Sequence, residues 1–128
     1  HIRIQCEDGT MITTEGKTKL KDYVISTFTH FQVGTGGDST NPNAGDLDSP
    51  LGSKATISSA SGTVQSSGET SIDFSFTILG SAYVGNTIKE VGIFDSTGNT
   101  LLVRVNYDGI GPLTSSDEVE FIITVEVD

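Results

Sequence analysis

The chain is poor in several residue types on which common architectures and binding sites depend. It has no tryptophan and one cysteine, Cys6. Because a disulfide needs two cysteines, none can form within the chain. Only 7 of its 128 residues are basic against 17 acidic ones, which gives a formal charge of −10. This balance argues against nucleic acid and against anionic membranes as partners, because both are bound through lysine and arginine. No apolar run approaches the roughly 20 residues that span a bilayer, and no signal peptide is predicted.

The motifs of common catalytic and metal sites are also missing. The glycine-rich stretch that begins at Gly34 lacks the Gly-Lys-Ser/Thr ending of a phosphate-binding loop, and no Gly-x-Ser-x-Gly nucleophile motif occurs. His1 and His30, with a single cysteine, are too few for a zinc site, which takes about three or four nitrogen or sulfur ligands. We therefore expect a protein without enzymatic activity and without an obligatory cofactor.

The chain does contain a series of short segments in which apolar and polar residues alternate, the pattern of a half-buried strand. The clearest is TSIDFSFTIL at residues 70–79, and the turn STGN at residues 96–99 separates two such segments as in a hairpin. Cys6 is expected as a small buried side chain of the first strand. Strands are predicted at residues 1–6, 28–33, 54–59, 70–79, 87–95, 100–107 and 118–128.

One segment, residues 13–27, has helical spacing of its apolar residues Leu20, Tyr23 and Val24. Thr14 is the expected N-cap, and Lys17, Lys19 and Lys21 are expected to form the solvated face. Residues 60–70 are small and polar and are expected to form a turn and an exposed stretch. Together these segments predict one all-β domain over residues 1–128, an antiparallel β-sandwich of the jelly-roll or immunoglobulin-like kind, with one short N-terminal helix.

The segment GTGGDSTNPNAGDLDSPLG, residues 34–52, contains almost nothing that can build a core. Two interpretations stay open. Oxygen-bearing side chains close in sequence are what calcium prefers; the calcium candidates are Asp38, Asn43, Asp46 and Asp48, with Asn41 among them. Alternatively, Asp, Asn, Gly and Pro act as turn formers that join two strands. In that case Leu47 and Leu51 anchor the far end of the loop in the core, and Gly34 and Gly36 let the chain leave its strand with positive φ.

Three pieces of sequence carry a resemblance to a known group of proteins. They are VGTG at residues 33–36, EVGIFD at residues 90–95 and LLVR at residues 101–104. In this order, followed by a closing β-strand, they resemble small virion proteins of tailed bacteriophages and archaeal tailed viruses, of the tail-fibre, tail-collar and head-fibre kinds. None of the pieces is a catalytic motif. Gly92 in a strand marks a bulge or a close approach, and Glu90 and Arg104 on the two arms of one hairpin can form a cross-strand ion pair.

The resemblance implies a structural component of the virion, attached to capsid or tail and acting through self-assembly and contacts with other virion proteins. A cyclic homo-oligomer is expected. The alternative is a carbohydrate- or receptor-binding β-sandwich that contacts a host surface glycan, with calcium as a stabiliser; Phe28 and Tyr83 are the aromatic residues not assigned to a core face. The interface candidates are Gly34, Gly36, Pro42, Leu47, Leu51, Glu90 and Arg104.

Overall fold

The computed structural model describes residues 12–37, 43–64 and 70–127. In these residues the chain forms seven strands and one α-helix. A short 3-10 helix, Gly80–Ala82, follows the fourth strand. The elements are α1 (Thr14–Thr27), β1 (His30–Gly34), β2 (Pro50–Thr56), β3 (Ser59–Thr63), β4 (Thr70–Leu79), β5 (Ile88–Phe94), β6 (Leu101–Ile110) and β7 (Glu118–Val127).

The strands form two antiparallel sheets. One sheet has four strands in the order β2-β1-β5-β6, and the other has three in the order β3-β4-β7. Their apolar faces pack against each other around one hydrophobic core. The predicted all-β antiparallel sandwich with one short helix is confirmed. The strand predicted at residues 1–6, and Cys6 within it, lie outside the described residues.

The core between the sheets consists of the residues that the alternation predicts. In β4, Ile72, Phe74, Phe76 and Ile78 are at most 3% exposed, because every second side chain of a strand points to the same face. Phe76 stacks on Phe31 of the other sheet at 3.9 Å between ring centroids and contacts the ring of Phe121 at 5.3 Å. The Phe31–Phe76 contact joins the two sheets, whereas the Phe76–Phe121 contact joins β4 and β7 of one sheet; each contributes about 0.5–1.5 kcal/mol beyond the burial of area.

β5 is buried on both of its faces. Val91 and Ile93 point into the core between the sheets, whereas Glu90, Gly92 and Phe94 occupy the alternate positions and are also buried. An antiparallel sheet of a sandwich normally leaves one face to water. The outer face of β5 is covered here by the loop between β1 and β2, which lies on Glu90 and Gly92, and by Lys54 of β2, whose Nζ lies 4.5 Å from the centroid of the Phe94 ring.

The N-terminal helix differs from its prediction at three points. Thr13, not Thr14, is the N-cap: its extended backbone lets its hydroxyl accept a hydrogen bond from the amide of Gly16 at 3.0 Å. Tyr23 is 64% exposed, because α1 faces β3 and β4 through Val24, Ile25 and Phe28 instead. The lysines do not all form a solvated face either: the stem of Lys21 packs on Gly62, where an added Cβ would lie 2.5 Å from its Cδ.

The region after the β1–β2 loop also differs from its prediction. β2 begins at Pro50, before the predicted start at residue 54, and β3 occupies residues expected to be a turn and an exposed stretch. β3 is a strand because β4 supplies a full set of hydrogen-bonding partners to it. Its small inward residues Ala60 and Gly62 lie opposite the large Phe74 and Ile72, so the pairing compensates for a low strand propensity.

Candidate functional site

The loop between β1 and β2, residues 35–49, is attached to the outer face of the four-stranded sheet by one buried carboxylate. Glu90 of β5 is 0% exposed. Its Oε2 accepts hydrogen bonds from the backbone amides of Gly36 at 3.0 Å and Ser49 at 2.8 Å, and its Oε1 accepts one from Asp48 at 2.8 Å. Gly36 follows β1 and Ser49 precedes β2, so a single side chain holds both ends of the loop.

Arg104 of β6 completes the charged group. Its Nη2 lies 3.2 Å from Oε1 of Glu90, and its two terminal nitrogens donate to the two carboxylate oxygens of Asp48 at 3.1 and 2.8 Å. This two-pronged geometry is the strongest that arginine makes with a carboxylate. The hydrogen bond to Asp48 is the first cause of a raised Arg104 pKa. We call Glu90, Arg104 and Asp48 the Glu90 cluster.

The structure contains the ion pair between Glu90 and Arg104 that the hairpin predicted, and adds a third member. The arginine side chain is 8% exposed, whereas that of Asp48 is 43% exposed. Two carboxylates thus share one guanidinium, and three backbone amides stabilise the buried carboxylate in addition. A buried charge is tolerated when it is paired and fully hydrogen-bonded in this way.

Gly34 and Gly36 make room for this carboxylate. A Cβ on Gly34 would lie 2.5 Å from Oε2 of Glu90 and 2.6 Å from the carbonyl oxygen of Ser49, and one on Gly36 would lie 2.7 Å from Cβ of Asp48. Neither glycine has positive φ, so the expectation of a left-handed exit from the strand is wrong. Both are needed for space, because the loop backbone approaches the Glu90 side chain too closely for any side chain.

Leu47 is the apolar anchor of the same loop. It is 6% exposed and lies with Phe94 and Leu101 over Gly92, whose added Cβ would be 3.0 Å from Cδ2 of Leu47. The close approach expected at Gly92 is therefore present. The sequence predicted that Leu47 anchors the loop in the core between the sheets. Leu47 instead makes a smaller apolar contact on the outer face of the four-stranded sheet. Leu51, which is half-buried in β2, does pack against the main core.

The predicted calcium ligands are not gathered around one point in the described residues. Asp48 is bound by Arg104, and Oδ1 of Asp46 accepts a hydrogen bond from the adjacent Leu47 amide at 2.8 Å. Asn43 is exposed, and Asp38, Asn41 and Pro42 lie outside the described residues. Within the described ranges, no group of 3 or more His, Cys, Asp or Glu residues is placed to hold a metal ion.

A second carboxylate fixes the turn of the β5–β6 hairpin. Oδ1 of Asp95 accepts hydrogen bonds from the hydroxyl of Thr97 at 2.8 Å and from the amides of Asn99 and Thr100 at 3.1 and 3.2 Å. The bond from Thr97 is the first cause that lowers the Asp95 pKa below its ordinary value. The predicted hairpin is confirmed, and its turn is held by its own side chains.

Comparison with known proteins adds no relative: no protein-family model and no curated protein sequence matches the chain. No helix among the described residues is long and apolar enough to cross a membrane. The bonds of the Glu90 cluster join the loop to the sheet, so the chemistry of the site is that of a fixed attachment.

Proposed function

We propose that the protein is a structural component of a virus particle, an appendage attached to capsid or tail that acts through self-assembly and contacts with other virion proteins. The observation that carries this proposal is the meeting of the three resembling sequence pieces in one cluster. Gly34 and Gly36 come from the first piece, Glu90 from the second and Arg104 from the third. The first piece is far from the other two in sequence, with 54 positions between Gly36 and Glu90, and the three pieces pack together at one site, which supports a shared structural plan.

A loop whose two ends are held on the sheet suits a protein that acts by making contacts. Ordering a flexible segment on binding reduces affinity, so the described ends, attached at Gly36, Asp48 and Ser49, lose less conformational entropy. Two kinds of contact attach the β1–β2 loop to the sheet: the charged hydrogen bonds of the Glu90 cluster and the apolar contact of Leu47. The loop is in this proposal a contact surface between subunits, located in the virion.

Glycan binding is the second candidate function, and one exposed aromatic residue favours it. Tyr23 on α1 is 64% exposed, and an exposed ring is a platform on which a sugar can stack. Tyr83 and Phe28 are half-buried and pack against the core. In this alternative, Tyr23→Ala abolishes retention on a glycan array, whereas Tyr83→Ala chiefly lowers stability.

The proposed function is tested by the absolute mass of the protein in solution, measured by light scattering behind a sizing column over a range of concentrations. A discrete cyclic oligomer is the expected result. A monomer at every concentration contradicts the assembly function and favours the glycan-binding alternative. The same run in chelator tests calcium: an unchanged mass and melting temperature argue against a calcium-stabilised fold, because a ligand bound only to the folded state raises stability.

A further inference from the structure

We infer that one side of the sandwich is a groove for an added strand, and that its occupant is residues 1–6 of the same chain. The groove lies along the edge of β7 and over the inner face of β6, where Val103, Val105 and Tyr107 line it. We call it the open side. It consists of described residues, whereas residues 1–11 lie outside them. The inference goes beyond the proposed assembly function and does not depend on it.

The four-stranded sheet extends one strand beyond the three-stranded sheet at the open side. Phe76 of β4 stacks on Phe31 of β1, and Tyr107 of β6 contacts Phe121 of β7 at 5.7 Å between ring centroids. Because β5 lies between β1 and β6, three strands of one sheet face two strands of the other, β4 and β7. Among the described residues, β6 therefore has no strand of its own opposite it, and β7 has a strand neighbour on one side only.

The inward-facing side chains of β6 are less covered than those at the same level of the next strand. Val103 and Val105 pair in register with Ile93 and Val91 of β5. Both β5 residues are 0% exposed, whereas the two β6 valines are half-buried. An edge position alone does not explain this difference, because β7 is also an edge strand and its inward Val125 is 1% exposed. A strand added beside β7 covers both valines and removes an edge at which other chains could pair.

The position of α1 brings residues 1–6 within reach of the open side. α1 contacts β3 and β4, the two strands of their sheet that lie farther from the open side. From β3 to a strand beyond β7 is three strand spacings, about 14 Å. Residues 7–12, which join the segment to the N-cap Thr13, extend up to about 20 Å. A tethered segment acts at a local concentration of roughly millimolar, which favours the chain's own residues 1–6 over those of another copy.

The sequence of residues 1–6, HIRIQC, fits the open side in both polarity and charge. Its apolar residues alternate with polar ones, Ile2, Ile4 and Cys6 with His1, Arg3 and Gln5. As a strand, the segment thus has one apolar face, which covers the β6 valines, and one polar face, which continues the outer face of the three-stranded sheet. The three strands of that sheet contain no Lys or Arg, and their acidic residues are Asp73, Glu118, Glu120 and Glu126. Arg3 therefore lies beside an acidic surface, and opposite charges on neighbouring strands stabilise their pairing.

NMR of the full chain tests the position of the segment directly. NOEs are expected between backbone protons of residues 2–6 and those of β7, and not with β3, the other edge strand of the same sheet. A sample that mixes copies carrying two different isotope labels should show none of these NOEs between the labels. NOEs to β3 alone, or to no strand, overturn the inference. NOEs between the labels overturn pairing within one molecule and assign the open side to a second copy.

The single cysteine of the chain gives a second readout. Cys6 belongs to the apolar face of the segment, so its thiol should react with a thiol reagent at least about tenfold more slowly than an exposed cysteine. That factor corresponds to an opening free energy of about 1.4 kcal/mol. The matched control is Gln5→Cys in a Cys6→Ser chain, whose thiol belongs to the polar face and should react fast. Equal rates in the two chains overturn the inference, since a paired strand protects one face only. Neither readout depends on the mass in solution, so the assembly function succeeds or fails separately.

Discussion

Replacement of Glu90 by glutamine is the most direct perturbation of the loop attachment. In the parent chain, Oε1 accepts from the Asp48 amide and Arg104, and Oε2 accepts from the amides of Gly36 and Ser49. Glutamine keeps the shape but offers one oxygen and one NH₂ group. In either orientation of the amide, its NH₂ group takes the place of an oxygen that accepted from two donors. Those two donors then lose their acceptor in a site that is 0% exposed.

The expected loss of stability follows from these two broken contacts. A hydrogen bond to a charged group contributes about 1.5–3 kcal/mol, so Glu90→Gln should lower the free energy of unfolding by about 3 kcal/mol. Breaking a buried ion pair costs a similar ~3–5 kcal/mol, and Arg104 keeps Asp48 as its partner, which favours the lower value. At an m-value of about 2 kcal/mol/M, the urea midpoint should fall by about 1.5 M.

Equilibrium urea unfolding followed by circular dichroism measures this change, and amide hydrogen exchange at Gly36, Asp48 and Ser49 locates it. Asp46→Asn is the matched control: it removes an exposed carboxylate of the same loop and should change stability by less than about 0.5 kcal/mol. A Glu90→Gln chain with the parent midpoint and parent exchange at these amides would refute the proposed role of Glu90. Equal losses in the control would assign the effect to charge alone.

Three further predictions concern the same loop and the hairpin beneath it. Gly36→Ala should destabilise the fold by about 1–3 kcal/mol through overpacking against the Glu90 cluster. Gly45→Ala, with no atom within 4 Å of the new Cβ, should change the urea midpoint little. Leu47→Ala should cost about 2 kcal/mol in the same assay, near the low end for a buried leucine, because the contact is at the periphery. The lowered pKa of Asp95 means that its contribution is present above its ordinary pKa of 3.8 and lost as pH falls through the lower folded value; in an NMR titration, Thr97→Ala should move that pKa back toward 3.8, and an unmoved pKa would contradict the assigned cause.

The parts of the fold that the sequence predicts well are those in which one strand face is apolar and the other polar. β4 has the predicted bounds, residues 70–79, because its alternation is unbroken. β3 has no such signal: Ser, Ala, Gly and Thr become a strand only beside the large residues of β4. Helix α1 has apolar residues on more than one side, so spacing alone selected Tyr23 for the buried face, and the position of the sheets decided otherwise.

The site is predictable only where it depends on neighbouring strands. A hairpin places Glu90 near Arg104, and this pair could be derived from the turn between them. Asp48 could not be assigned to it, since its position depends on the path of a whole loop. The glycine pattern does hold a signal, because Gly34 at the end of β1 and Gly36 two residues later both leave space for the buried Glu90 side chain. These two glycines are required because a Cβ would not fit at either position, and not because their backbone has positive φ.

The Glu90 cluster also has a consequence for the order of folding. Its contacts join residues 41, 42, 54 and 56 positions apart, whereas the hairpin turn at Asp95 is closed within 5 positions. Contacts between distant residues form later, because closing a long loop lowers the entropy of the chain before the contacts stabilise it. We expect the hairpin to form early and the loop to attach after the rate-limiting step. Stopped-flow kinetics should then show that Glu90→Gln accelerates unfolding and leaves the folding rate nearly unchanged, so the loop attachment sets how long the folded state persists.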